Sequence, residues 1–264
     1  MIEPEPTQYE KLRPLFAPLA HHLAIDAILS GTATGTVWVD EVARPKTAVC
    51  WISYRLYCGG QESPQLPPFF AETLRPAALA DGRRGAILHL PPDWGVSPEA
   101  LFSQAQPLSG GRLYFRQDAR QRAWPLTVPD GLALRRVDRA LLDDPSIENI
   151  GYVTEEMVSE RPSVADFLAR SFGYCLVHEK RIIGWCMTEY NTGDRCELGI
   201  ETEASFRRRG LAMVLATAVI RHALQSGIHD IGWVCSADNL PSIATAQKLG
   251  FRQTAQDAVS LLRF

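Results

Sequence analysis

The pattern of apolar and polar positions is clearest between residues 196 and 225. Apolar side chains recur every three or four residues from Leu211 to Val219, which is the spacing of a helix that buries one face. A short strand-like run, 196–202, precedes this segment, and a polar turn ending at Gly210 separates the two. The pattern therefore predicts a strand, a loop and a helix in succession.

The rest of the C-terminal half alternates short strands and helices. A buried strand is predicted over 231–236, followed by a helix within 237–251 that Asp238 or Asn239 caps and that leaves at Gly250. The remaining predicted elements are a strand at 132–138, short helices within 139–157 and at 164–171, a hairpin of strands at 173–178 and 182–190, and a final strand at 258–263. We expect that last strand to complete the C-terminal half.

The N-terminal half has its own series of elements, and a stretch with charges, proline and glycine near residue 130 separates it from the rest. We therefore expect a mixed α/β fold in two lobes, 1–130 and 131–264. The predicted N-terminal elements are one or two helices within 9–29, strands at 36–40, 47–53 and 55–58, a helix at 69–79, a strand at 86–90, a helix at 97–105 and a strand at 112–116.

Composition excludes some classes of function. With 27 basic and 30 acidic residues the formal net charge is -3, which gives no overall attraction to nucleic acid. The six cysteines form no Cys-x-x-Cys pair and are predicted to be buried thiols. The six histidines form no His-Glu-x-x-His motif, and we expect no metal site.

The ends and the apolar runs bear on location. The first residues are acidic and contain proline, unlike a secretory signal. The longest apolar run, 211–220, is too short to span a bilayer. We expect a cytoplasmic protein.

The turn before the predicted helix is suited to an anion. The first N–H groups of a helix have no partner within it, and the peptide dipoles make that end mildly positive. Gly210 allows a ligand to approach the backbone closely, and Arg207, Arg208 and Arg209 add positive charge. A solvated arginine-rich turn is the alternative. The glycine pattern of a dinucleotide site and the Gly-Lys-Ser/Thr of a nucleoside-triphosphate loop do not occur here.

The spacing Arg207-x-x-Gly210-x-Ala212, directly after a strand, resembles the pyrophosphate loop of the GNAT superfamily of N-acetyltransferases. A second segment, from Asn239-x-x-Ser242 to the Lys-Leu-Gly-Phe at 248–251, resembles the last motif of the same family, although helix capping alone also explains Asn239. The two motifs occur in the family's order, and the resemblance in the order of the elements extends over about half of the chain.

The resemblance implies a GNAT fold in the C-terminal half and acetyl-CoA as co-substrate, with a small-molecule or protein amine as acceptor. In this family the fourth and fifth strands part at a bulge, and the pantetheine arm pairs with the exposed backbone. By resemblance, Asn239 and Ser242 also contact the cofactor. The implied backbone contacts are Ile200 and Thr202 for the pantetheine and Arg207, Arg208, Arg209, Gly210, Leu211 and Ala212 for the pyrophosphate.

Acetyl transfer to an amine requires a neutral nucleophile, and three carboxylates are candidates for the base that takes its proton. Glu197, Glu201 and Glu203 alternate along the predicted strand and would share a face if the strand were regular. Glu201 is the first candidate and Glu197 the second.

One residue departs from the family pattern. Many GNAT enzymes have a tyrosine four residues before the final Gly-Phe, as the acid that protonates the departing thiolate. This sequence has Ala246 there. Either Ser236 or Cys235 donates the proton, or solvent does, or the protein is not a fast acetyltransferase.

The N-terminal lobe has the element order of a GNAT domain but no pyrophosphate loop, and it resembles the degenerate lobe of bacterial two-lobed GNAT proteins. A structural or substrate-shaping role is expected for it. Besides an N-acetyltransferase, the open alternatives are a non-catalytic acyl-CoA-binding module and, against the net charge, a nucleic-acid binder. Sheet edges in such domains pair, so a homodimer is a further expectation.

Overall fold

The computed structural model describes residues 1–95, 97–102, 105–107 and 111–264. The helices are a 3-10 helix Pro6–Leu19, α1 Leu23–Leu29, α2 Leu66–Phe69, a π-helical turn Phe70–Leu74, α3 Arg75–Ala80, α4 Pro98–Leu101, α5 Arg139–Leu142, α6 Gly151–Glu160, α7 Val164–Arg170, α8 Leu211–Gln225 and α9 Leu240–Lys248, with short 3-10 turns at Ala119–Gln121 and Ala204–Phe206.

The strands fall into two sheets, one of six strands and one of seven. They are β1 Thr36–Val39, β2 Thr47–Ile52, β3 Arg55–Gly60, β4 Gly85–His89, β5 Ala105–Pro107, β6 Arg112–Asp118, β7 Leu132–Arg136, β8 Gly173–His178, β9 Arg181–Thr192, β10 Arg195–Thr202, β11 Asp230–Ser236, β12 Arg252–Asp257 and β13 Ser260–Arg263. The mixed α/β fold expected from the sequence is confirmed.

The chain divides into two compact units. The N-terminal unit comprises 1–113, 236–238 and 255–264, and the C-terminal unit comprises 114–235 and 239–254. The predicted functional lobes, 1–130 and 131–264, remain a proposal.

The N-terminal unit is built on the six-stranded sheet, in the order β1-β2-β3-β4-β13-β5. Strand β2 is buried along its whole length, as its run of β-branched and aromatic residues predicts. The core beside it is rich in aromatic and aliphatic side chains, among them Trp51, Phe69, Phe70, Leu88, Phe102 and Leu262.

The predicted partner of the last strand is wrong. We expected 258–263 to complete the C-terminal half, but β13 pairs antiparallel with β4 and with β5 in the six-stranded sheet. Leu262 is buried in the core of the N-terminal unit. An alternating apolar pattern predicts a strand but carries no information about which sheet it joins.

Two strands were missed. β12 is polar and lies at the edge of the seven-stranded sheet, so it lacks the apolar alternation that marks a half-buried strand. β5 begins at Ala105, within the helix predicted over 97–105; α4 ends at Leu101, and 103–104 lie outside the described residues.

The C-terminal unit contains the predicted strand, loop and helix, now β10 and α8. The seven-stranded sheet has the order β12-β6-β11-β10-β9-β8-β7. One face of the sheet packs α5–α7 through a core that includes Val153, Trp185 and Met187. On α8, Leu211, Leu215 and Val219 are buried, as the spacing predicts. No helix in the described part of the chain has the length and hydropathy needed to span a membrane.

Candidate active site

Strands β10 and β11 separate part-way along their length. Their parallel register runs from Arg195 opposite Asp230 to Leu198 opposite Trp233. β10 nevertheless continues, paired with β9 on its other side, as far as Thr202 opposite Gly184. Residues 199–202 therefore have a regular partner strand on the β9 side only, which leaves the backbone on the β11 side open to an extended ligand.

A register irregularity accompanies this separation. The β9–β10 ladder shifts between Arg195 and Glu197, which is the signature of a bulge. A bulge inserts an extra residue and increases the local twist of its strand. The irregularity lies within three residues of Leu198, where the pairing of β10 with β11 ends.

The turn between β10 and α8 is held in a left-handed backbone conformation at two positions. Arg208 has φ 63° and Gly210 has φ 77°. The carbonyl oxygen of Gly210 accepts from the N–H of Met213 at 3.1 Å, which begins the helix. A Cβ built on Gly210 would meet nothing within 4 Å. The space beside the helix N-terminus is therefore open, and the glycine is required by its φ rather than by crowding.

The three arginines of the turn are all exposed. Arg207 donates through Nε to the carbonyl of Thr202 at 3.0 Å, and its guanidinium lies 3.9 Å from the Glu201 carboxylate. Arg209 donates to the carbonyl of Ser205 at 3.3 Å and lies over the Phe206 ring. All three belong to the turn before a helix end whose dipole is itself positive, and a bound anion would relieve the repulsion.

Asn239 and Ser242 take part in local structure at the start of α9. The Asn239 Oδ1 accepts from the Ser242 N–H at 3.2 Å, so Asn239 rather than Asp238 is the cap. The Ser242 hydroxyl accepts from Trp233 Nε1 at 2.9 Å. These contacts account for both residues without a ligand, and their contact with a cofactor remains a prediction.

The candidate carboxylates occupy different environments. In the β9–β10 ladder Glu201 lies opposite Trp185, and Glu197 lies opposite Glu189. The Glu201 side chain is 49% exposed. Glu203 lies beyond the strand, where its carboxylate accepts from Arg181 at 2.7 Å and from Asn149 at 3.1 Å. Glu203 is thus committed to an ion pair at the surface.

Two further carboxylates lie beside the parting of the strands and were missed in the sequence. A Cβ added to Gly199 would collide with the Glu189 carboxylate and would lie 3.3 Å from that of Glu156. Counting residue pairs from the turn of the β9–β10 hairpin gives the residue opposite Glu197. The register shift between Arg195 and Glu197 moves that partner by one residue, to Glu189. Glu156 is brought here by α6, and no local pattern predicts that position.

Tyr152 of α6 lies beside Trp185, the residue opposite Glu201 in the β9–β10 ladder. Among the described residues its buried hydroxyl has no hydrogen-bond partner. Burial raises the pKa of Tyr152, and the negative charges of Glu201 and Glu203 raise it further. Its ring meets that of Trp185 edge to face at 6.2 Å. In the described part of the chain Trp185 Nε1 and Thr202 Oγ1 are likewise buried without a partner.

The arrangement combines a parted strand pair, an open helix N-terminus and a set of carboxylates on the α6 side. Comparison with known proteins decides between the families that could use it. The family model for the GNAT acetyltransferases matches residues 13–256. The chain belongs to the GNAT acetyltransferase family.

Individual relatives agree with the family. The chain is 25% identical over 252 residues to the uncharacterized N-acetyltransferase YdfB of Bacillus subtilis, covering 94% of each protein. Among solved structures it resembles a GCN5-related N-acetyltransferase-like protein from Streptococcus suis, with a TM-score of 0.71 at 19% identity over 98% and 99% of the two chains. A tandem GNAT protein from the clavulanic acid biosynthesis pathway has a TM-score of 0.58 at 14% identity, over 99% and 97%. At these identities the solved structures show the shared fold.

In this GNAT protein the residue at the position of the family's tyrosine, Ala246, is not accessible to solvent. Ala246 is fully buried in α9, and its carbonyl accepts from the Phe251 N–H at 3.0 Å. Of the other donors suggested by the sequence, Cys235 is buried and Ser236 is the last residue of β11. Neither the carboxylates nor these donors are tested by the comparisons.

Proposed function

We propose that this GNAT protein transfers the acetyl group of acetyl-CoA to a primary amine by direct attack of the amine. The observation that carries the proposal is the separation of β10 from β11 after the pair of Leu198 with Trp233, next to the open N-terminus of α8 at Gly210. An extended pantetheine arm requires the first feature, and a pyrophosphate requires the second.

The phosphate end of the site is supported by charge and by free space. In the proposal the N–H groups of Gly210, Leu211 and Ala212 bind the pyrophosphate, as orphan amides at a helix start can. Arg207, Arg208 and Arg209 are exposed in the turn that precedes this helix end, and in the proposal they balance the phosphate charge.

The pantetheine arm is assigned to the open side of residues 199–202. Ile200 and Thr202 are its proposed backbone partners. The Thr202 carbonyl already accepts from Arg207, so Thr202 would bond a ligand through a second lone pair or through its buried hydroxyl. Asn239 keeps its side-chain NH₂ group for a ligand while its oxygen caps α9, and Ser242 lies one turn on.

The direction in which the pantetheine arm is proposed to run along β10 determines where the base must lie. The bound cofactor supplies an activated thioester, and its acyl end must lie far from the phosphates. Residue 197 is four residues from 201, or about 13 Å along the strand, on the side away from the turn. Glu197 and its neighbour Glu189 therefore lie nearer the parting of the strands than Glu201 does. We propose Glu197, supported by Glu189, as the base, with Glu201 as the competing assignment.

The thiolate needs no strong acid, because an ordinary thiol pKa lies close to neutrality. Ser236 is the proposed donor if one is used. The buried alanine at position 246 supports a second function, a non-catalytic acyl-CoA-binding module, since it removes the family's usual proton donor.

One experiment separates the two functions. Acetyl-CoA binding is measured by isothermal titration calorimetry, and thiol release is then followed with a broad panel of primary amines. Binding together with amine-dependent thiol release supports the transferase. Binding without turnover supports the module, and no binding at millimolar acetyl-CoA rejects both.

The remaining proposals concern the roles of the two lobes, the acceptor and the oligomeric state. In the proposal, residues 131–264 carry the cofactor site and residues 1–130 shape the surface for a small-molecule or protein amine, in a monomer or a homodimer, without nucleic acid or membrane as partner. All six cysteines are buried and none forms a disulfide, which suits a reducing compartment and supports the proposed cytoplasmic location.

A further inference from the structure

A cluster of histidines in the N-terminal unit gathers around one carboxylate, far from any sequence motif. His21 Nε2 lies 2.8 Å and His22 Nε2 lies 2.7 Å from the same oxygen, Oδ2 of Asp257. His89 Nδ1 approaches that oxygen to 3.9 Å. We propose that His21, His22, His89 and Asp257 form a binding site for a divalent transition-metal ion, of which Zn²⁺ fits best.

The donor atoms have the spacing that such a site needs. One nitrogen each from His21 and His22 and one oxygen from Asp257 lie within 4.8 Å of one another. Ligand atoms around a tetrahedral Zn²⁺ with bonds near 2.1 Å are about 3.4 Å apart. The separations from the Asp257 oxygen, 2.7 Å for His22 and 3.9 Å for His89, bracket that value. His89 lies outside the three-residue group, so it must move closer to become the fourth ligand.

His89 gives the observation that points to a ligand. Its side chain is 4% exposed, and in the described residues its Nδ1 has no hydrogen-bond partner, since 3.9 Å is too long for one. Burying an imidazole nitrogen without a hydrogen-bond partner costs free energy, because the hydrogen bond it made to water is not replaced. Here the nitrogen is directed at a carboxylate that two other imidazoles also approach, and a shared cation would satisfy all four groups.

The chemistry of the side chains matches a metal of intermediate softness. Three imidazoles and one carboxylate are a donor set that suits Zn²⁺, and four protein ligands leave no position for substrate. A histidine that binds a metal must be a neutral imidazole. His22 and His89 are both buried, and burial disfavours the charged ring.

The site would join three distant parts of the chain. His21 and His22 precede α1, and His89 ends β4. Asp257 is the last residue of β12 and comes shortly before β13, which pairs with β4 in the six-stranded sheet. A metal here has a structural role: it anchors the last segment of the chain within the N-terminal unit. The competing account is a network of hydrogen bonds between histidines and Asp257, and the positive charges of Arg55 and Arg112, which act on His89, favour that account.

The test uses the full chain without a histidine tag, treated with a chelator and then loaded with Zn²⁺ or Co²⁺. One equivalent of metal retained after gel filtration is expected, together with visible Co²⁺ absorption of tetrahedral intensity. His89→Gln and Asp257→Asn should lower metal affinity by about 100-fold or more, because losing even an outer-shell partner costs 10–100-fold. His229→Gln is the matched control, since His229 also lies beside an aspartate, 3.1 Å from Asp194, in the C-terminal unit.

The outcomes are distinct from those of the acetyl-transfer proposal, because acetyl-CoA binding is not part of the readout. Thermal unfolding of the metal-free variants shows whether they fold, and a metal-induced rise in Tm in the wild type and in His229→Gln but not in the other two supports the site. If the folded wild-type protein retains no metal, or if His229→Gln loses as much as His89→Gln, the cluster is a hydrogen-bond network and the proposal is wrong.

Discussion

Leu198 of β10 lies opposite Trp233 of β11, and this is the last pair of their parallel ladder. Beyond it β10 follows β9 alone, while the side chain of Trp233 turns to Ser242 at the start of α9. Trp233 is thus the last β11 residue that pairs with β10, and its side chain also contacts α9, the helix that follows β11. The open backbone of residues 199–202 begins directly after this pair.

Gly210→Trp should abolish acetyl-CoA binding while leaving the fold largely intact. Gly210 has a positive φ and open space around its Cβ position, so a large side chain meets the ligand rather than the core. Gly227→Trp is the control: it lies at the other end of α8, also with positive φ and nothing within 4 Å. Calorimetry and thermal unfolding of both variants check this. Equal loss of affinity in the two would show that strain in α8, and not obstruction, is responsible.

Glu197→Gln should lower kcat by about 100-fold with little change in the affinity for acetyl-CoA, because a general base acts in the transition state. The acidic limb of its pH–rate profile should disappear. Glu201→Gln, on the same strand face, should lower kcat less. Steady-state kinetics over a range of pH compares them, and a larger effect at Glu201 would reverse the assignment.

Tyr152→Phe should raise the KM for the acceptor amine by about tenfold without lowering Tm. Its hydroxyl is buried without a protein partner in the described residues, so removing it costs the fold nothing unless a ligand uses it. The raised pKa of Tyr152 keeps the phenol protonated above pH 10, where an exposed tyrosine ionises. The hydroxyl is therefore a donor at every pH at which the reaction is measured.

Tyr190→Phe is the contrasting variant for that measurement. The buried Tyr190 hydroxyl donates to the Glu160 carboxylate, so the substitution removes a hydrogen bond to a charged acceptor. A fall in stability of about 1.5–3 kcal/mol is expected there, without a specific effect on KM. An unchanged KM in Tyr152→Phe would place the acceptor elsewhere.

The cysteines should react slowly in the native protein. Burial raises the pKa of Cys58 and of Cys175 to about 12, and it also raises the pKa values of Cys50, Cys186 and Cys196. Thiolates are the reactive form, so these five thiols are protected twice, by pKa and by access. Titration with a thiol reagent at pH 8 should detect all six only after unfolding. Rapid native labelling of more than one would contradict the burial.

The sequence predicted what is local. The periodicity of α8, the strand before it and a helix cap at Asp238 or Asn239 were predicted correctly, because each depends on neighbouring residues. The partner of β13 was wrong, since pairing depends on a core formed by residues far away in the chain.

Parts of the candidate site were hidden for the same reason. Glu156 reaches Gly199 from another helix, and the place of Glu189 depends on a bulge. Asp257 lies more than two hundred residues from His21, so no motif spacing could reveal their contact. These contacts form only when the chain folds. The sequence alone therefore predicts the motifs of neighbouring residues and not the contacts between distant ones.

The most direct test of the central claim is amide hydrogen exchange with and without acetyl-CoA. The account predicts that peptides covering 199–202 and 208–212 become protected when the cofactor is added, while strands of the N-terminal unit do not change. Protection confined to other segments, or none in these two at saturating acetyl-CoA, would show that the parted strands and the Gly210 turn do not bind the cofactor.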